Sequence, residues 1–150
     1  MKKLFLITII FTTLTSCVST QLTIKNIDDN AIKPAVKNDR FVITDYSPDR
    51  KFGYDKDYPI NIGFGREKDA PINISYFFNA LLGEKNEKFT YTKIESCCPF
   101  PTKKTNVGAG MLDIYEVVFE PSGKKVQLYF NSYEKGKIMC PKGFTIKPSN

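Results

Sequence analysis

The sequence predicts an α+β fold: a mostly antiparallel β-sheet with one amphipathic helix, about residues 73–82, packed on a face. Three observations carry this expectation. Ile74, Phe77, Phe78, Leu81 and Leu82 fall at i, i+3, i+4, i+7 and i+8, which puts them on one side of a helix. Tyr115, Val117 and Phe119 alternate with period two, as do Val126, Leu128 and Phe130. Between those two runs, Glu120-Pro121-Ser122-Gly123-Lys124 has the residues of a tight turn, so the pair reads as a β-hairpin.

In chain order, Lys2 and Lys3 precede an apolar run, Leu4 to Leu14, which Thr15-Ser16-Cys17 closes. A basic tip, a short apolar core and small residues at the exit are the parts of a secretory signal. At 11 residues the run is shorter than the roughly 20 that a membrane-spanning helix needs. A cysteine at the exit has the pattern of a lipobox. Residues 1–16 are therefore expected to be a lipoprotein signal peptide and Cys17 the lipidation site, with acyl chains such as palmitate anchoring the protein in a membrane. A plain secreted protein is the runner-up. Val18, rather than an aspartate, follows the cysteine, which under the sorting rule for Gram-negative lipoproteins favours the outer membrane.

Residues 17–45 are expected to be the lipidated cysteine followed by a polar tether. Ser19-Thr20-Gln21 and Asn26 to Asn30 are polar, Pro34 interrupts, and no apolar period is sustained. Thr23-Ile24-Lys25 and Phe41-Val42-Ile43-Thr44 have strand-like composition and are candidates to pair with the domain edge. A single small domain is expected over 46–150. There Tyr58, Ile60, Ile62 and Phe64 alternate as a half-buried strand, and Gly63 and Gly65 allow it to bend. For the helix, Asn73 is the expected N-cap and Gly83 the left-handed residue past its end. Phe89 to Ile94 is rich in β-branched and aromatic types. Lys137 to Cys140 is the expected edge strand, ended by Pro141 and Gly143.

Charge and composition narrow the function. The formal net charge is +6, and loss of Lys2 and Lys3 with the leader lowers it by two. The remaining lysines are scattered pairs with acids between them, whereas nucleic-acid binders concentrate charge on one stripe, so no nucleic-acid partner is expected. The chain has no histidine, which most triads and general acid–base sites use. A cysteine nucleophile would have only Lys93, Lys103 and Lys104 nearby in sequence to favour a thiolate. Asp113 and Glu116, three apart on a strand, face opposite sides, and Asp55 and Asp57 sit in a turn-like stretch before Pro59. No catalytic residue, cofactor or metal is assigned; structural zinc sites use four Cys or His ligands in spaced pairs, and no such set occurs.

Beyond Cys17, the cysteines are Cys97, Cys98 and Cys140. On a regular strand Cys97 and Cys98 point to opposite faces, so only one can reach Cys140. The first reading is a Cys98–Cys140 bridge, worth ~4 kcal/mol on the chain-entropy model. A vicinal Cys97–Cys98 bridge, or free thiols, are the alternatives.

Several pieces resemble a group of short bacterial lipoproteins: Tyr58-Pro59-Ile60 with Gly63, Phe78-Asn79-Ala80-Leu81, Ser96-Cys97-Cys98-Pro99-Phe100, Leu112-Asp113-Ile114-Tyr115-Glu116 and Pro141-Lys142-Gly143-Phe144. The resemblance spans roughly residues 52–145. Some members carry the name of 2-dehydro-3-deoxyphosphooctonate aldolase; the enzyme of that name is a TIM barrel, a fold of ~250 residues that this chain is too short to form. The resemblance implies a lipid-anchored protein of the cell envelope. Three functional classes follow. The first is an accessory or binding module, in which Tyr129 and Tyr133 could contact a protein or glycan partner. The second is a periplasmic redox-active module using Cys97 and Cys98. The third is a hydrolase.

Overall fold

The computed structural model describes residues 23–148. The expected signal peptide and Cys17 lie outside the described residues. The fold is α+β, as the sequence predicts. Its centre is a four-stranded sheet built from β3 (Ile60–Asn61), β5 (Lys88–Pro101), β6 (Ala109–Glu120) and β7 (Lys125–Asn131). The strand order is β3-β7-β6-β5; β5-β6 and β6-β7 are antiparallel, while β3 lies parallel to β7. The predicted hairpin is β6-β7, with Val117 opposite Val126 and Tyr115 opposite Leu128. A two-stranded sheet of β4 (Leu81–Gly83) and β8 (Phe144–Ile146) closes one end.

Alternation sorts the sheet into two faces. Phe89, Tyr91, Tyr115, Val117, Phe119, Leu128 and Phe130 share one face, and helix α1 (Ala70–Asn79) lies across it. Ile74, Phe77 and Phe78 of α1 enter that cluster. The helix starts at Ala70, earlier than expected, with Asp69 as N-cap and Pro71 in the first turn, where a missing N–H costs nothing. Asn73 is therefore no cap. It is a buried helix residue whose Nδ2 donates to the carbonyls of Ile62 (3.4 Å) and Phe64 (3.2 Å), tying helix to sheet edge. The helix stops at Asn79 because the chain bends into β4. Leu81 and Leu82 keep their apolar role there by pairing with Ile146 and Thr145.

The expected tether is corrected over its described part. Residues 23–45 are packed on the domain: Phe41 and Ile43 are buried in the main cluster, and Ile24 joins a smaller one with Phe100 and Leu112. A hairpin of β1 (Val36–Lys37) and β2 (Arg40–Phe41) delivers Phe41 to the helix, edge-on to Tyr76 at 5.7 Å. Its two-residue turn is Asn38-Asp39, both with positive φ (53° and 54°), which suits the twist of paired strands. Polar side chains hide how few apolar anchors are needed to hold a segment down.

The edge strand expected at Lys137–Cys140 is also corrected. That stretch makes a single isolated bridge, Tyr46 with Cys140, and the pairing strand is β8, after Gly143. Of the alternating run at 58–64, only Ile60–Asn61 is a strand, although Ile60, Ile62 and Phe64 are all buried as expected. Among the described residues no helix is long and apolar enough to cross a membrane.

Candidate functional site

The best-built polar feature begins with three asparagines. Asn61 on β3 and Asn131 on β7 are register partners in the parallel pair and both are buried. Asn131 Nδ2 donates to Asn61 Oδ1 (2.9 Å). Asn61 Nδ2 donates to Asn26, to both its backbone O (2.9 Å) and its Oδ1 (3.0 Å), and Asn26 Nδ2 donates to the Pro59 carbonyl (2.7 Å). Asn131 Oδ1 accepts from the backbone N–H groups of Tyr133 (3.0 Å) and Glu134 (3.3 Å). A satisfied buried network of this kind fixes one conformation, because any other leaves costly unpaired groups. What it fixes is the loop after β7, residues 132–135.

Two glycines make room for that loop. A Cβ on Gly63 would lie 2.5 Å from the Tyr133 carbonyl carbon, and one on Gly110 would lie 2.7 Å from Cδ2 of the Tyr133 ring. The ring therefore rests on the Gly110 backbone, edge-on to Phe100 at 6.0 Å. Its hydroxyl donates to Glu67 Oε1 (3.2 Å). Burial, and then the Glu67 charge, raise the Tyr133 phenol above its ordinary pKa, so it stays a donor. The next residue, Glu134, is buried and accepts a hydrogen bond from Thr102 Oγ1.

Tyr133 lines two neighbouring surface depressions, which together form a groove. On one side is a depression of ≈ 330 Å³ lined by Glu67, Pro71, Lys93, Ser96, Met111 and Asp113. A second, of ≈ 410 Å³, shares Glu67, Ser132 and Tyr133 with it and reaches Lys104 and Lys135. In the first, Asp113 Oδ1 accepts from both Lys93 Nζ (2.7 Å) and Ser96 Oγ (2.7 Å). One carboxylate oxygen thus gathers a lysine and a serine from the neighbouring strand into a trio on the groove surface.

The predicted site residues separate. Tyr133 and Tyr129 both pack against the small cluster, but only Tyr133 lines the groove; Tyr129 is paired with Ile114 and half-buried. Asp113 faces the groove, and Glu116 pairs with Lys125 on the other side of the sheet (3.0 Å), so the two do not cooperate. Asp57 pairs with Lys56 (2.7 Å), and Asp55 Oδ1 accepts the Asp57 N–H, a turn arrangement. Lys104 pairs with Asp29 (3.4 Å). Among the described residues no group of His, Cys, Asp and Glu is placed to hold a metal ion.

The bridge to Cys140 is corrected. The sulfurs of Cys97 and Cys98 meet each other at 2.17 Å, forming a vicinal bridge, while Cys140 is a buried free thiol. The physical reason is a break in β5. Its register slips between Cys97 and Phe100, and Cys98 takes a φ of 58°, so the strict alternation that separates neighbouring side chains fails there. Cys140 belongs to the main cluster, and burial pushes its pKa up to about 12. Cys98 packs with the smaller cluster. The bulge sits on an edge strand, directly after groove residue Ser96.

The asparagine chain and Glu67 were missed in the sequence. A period-two reading treats Asn61 as an outward residue between Ile60 and Ile62, and nothing in the sequence pairs it with Asn131 or Asn26. Compared with known proteins, the chain matches no family model, no curated protein and no solved structure.

Proposed function

We propose that the protein is a lipid-anchored accessory module of the cell envelope that binds a partner through the Tyr133 groove. The observation that carries the binding role is the buried asparagine chain. Three buried or half-buried amides are committed to holding one surface loop, and that loop presents a half-exposed tyrosine to the groove. Rigid presentation lowers the ordering cost of binding. The anchor rests on the basic tip, the short apolar run and Cys17. Its test is metabolic labelling with palmitate in the native host. Label should appear on the wild type, fractionate with membranes, and disappear in Cys17→Ala; a wild type without label overturns the anchor.

The vicinal bridge favours a second reading, a thiol–disulfide exchange module. A partner thiolate attacking one sulfur would break the Cys97–Cys98 bond, form a mixed disulfide and leave the other cysteine as a thiolate. A second thiolate of a dithiol partner would then attack the mixed disulfide, so that the partner leaves with its own disulfide and Cys97 and Cys98 remain as a reduced pair. Trapping in the host separates the readings: this one requires Cys97→Ser or Cys98→Ser to accumulate a mixed disulfide with an envelope protein.

A further inference from the structure

Resting on the reading of the Tyr133 groove as the binding surface, we infer that its ligand is an uncharged, hydroxyl-rich saccharide chain. The first support is the match of surfaces. The first depression is lined by the apolar Ala70, Pro71 and Met111 together with the hydroxyl-bearing Ser96, Ser132 and Tyr133. A saccharide ring has apolar C–H faces and a rim of hydroxyls that both donate and accept. The Tyr133 ring adds apolar surface, and although Glu67 Oε1 and Asp113 Oδ1 are taken by Tyr133, Ser96 and Lys93, each carboxylate keeps a second oxygen as an acceptor.

The second support is charge. Lys93 is paired with Asp113 and Lys104 with Asp29, while Lys135 and Glu67 face the same depression with opposite signs. Charges matched in place present little net field to attract an anion. A protein partner would favour a patch whose centre is depleted of charge and rich in apolar anchors. Here an ion pair and three hydroxyls line the first depression. The third support is shape: two open depressions of ≈ 330 and ≈ 410 Å³ meet at Tyr133, which suits linked rings passing a shared aromatic better than one enclosed small molecule.

The test is calorimetric titration of the full-length protein, extracted in detergent, with a hexamer of N-acetylglucosamine and with hexagalacturonate, each at low and high salt. The neutral hexamer should bind with little salt dependence. Tyr133→Ala should weaken it at least tenfold and Ser96→Ala several-fold, while Tyr133→Phe, which keeps the ring and its seat on Gly110, should retain most of the affinity. Three results would overturn the inference. One is no heat from the neutral hexamer with folded protein. Another is binding of the galacturonate alone, falling steeply with salt. The last is affinity unchanged by both Tyr133→Ala and Ser96→Ala. A parallel cross-linking experiment in envelope membranes distinguishes this failure from failure of the groove itself. If Tyr133→Ala abolishes capture of a protein while the hexamer does not bind, the saccharide inference falls and the groove reading stands. If neither ligand depends on Tyr133, both fall.

Discussion

Phe78 meets five other rings, lying flat on Tyr91 at 4.0 Å and edge-on or tilted to Phe77, Phe89, Tyr115 and Phe130. It joins the helix to three strands, so its removal leaves a void that no single neighbour can fill. Phe78→Ala is expected to cost about 3–5 kcal/mol, read as a lower urea midpoint at unchanged slope. Two other single groups set the response to alkali. Tyr54 donates its hydroxyl to the Lys142 carbonyl at 2.5 Å, and burial, then the Cys140 and Glu84 charges, raise its pKa from 10.0 to about 12. Burial raises Cys140 from 9.0 to about 12. Both groups hold their protons longer when folded than when unfolded. The stability they contribute is complete below pH 9 and is lost as pH climbs toward 12. Melting temperature should therefore fall over that window, and Tyr54→Phe, though less stable at neutral pH, should show a shallower decline above pH 10.

Among the elements, the helix and the β6-β7 hairpin were legible because their apolar residues repeat within one local period. The helix boundaries were not. Leu81 and Leu82 continue the helical spacing in sequence, yet their partners lie on β8 more than sixty residues away, and no local pattern reports a distant strand. The β1-β2 hairpin did leave a signal, the Asn38-Asp39 pair between Val36-Lys37 and Arg40-Phe41, but Phe41 and Ile43 are too few to form a period. Its consequence can be measured. A chain starting at residue 46 lacks Ile24, Asn26, Phe41 and Ile43, and with them one end of the asparagine chain and part of the main cluster. It should fail to unfold cooperatively, whereas one starting at residue 23 should melt as a single transition; matching melts would show the segment to be dispensable. The break in β5 belongs to the same scale. Residues 92–96 are exposed along a sheet edge, and register slips on either side of Glu95–Cys97 interrupt the ladder that another chain could extend.

At the scale of the whole molecule, the main cluster of the described residues draws on side chains from Phe41 to Phe144. The candidate site is assembled from five places in the chain: near residues 26, 61, 67, 93–113 and 131–135. That is why it was largely illegible beforehand: Tyr133 was singled out only beside Tyr129, Lys93 and Lys104 only as cations near the cysteines, and Asp113 was set aside with Glu116 because the two face opposite sides. The packed N-terminal segment also sets a distance. If Cys17 carries lipid, only the stretch up to Ile24 separates the acyl chains from a buried anchor of the fold, and fully extended it spans roughly 25 Å. The globule would ride on a short leash, close above the headgroups. With such an anchor, whatever it grips would have to approach the bilayer, because so short a stretch leaves no slack with which to go and find it.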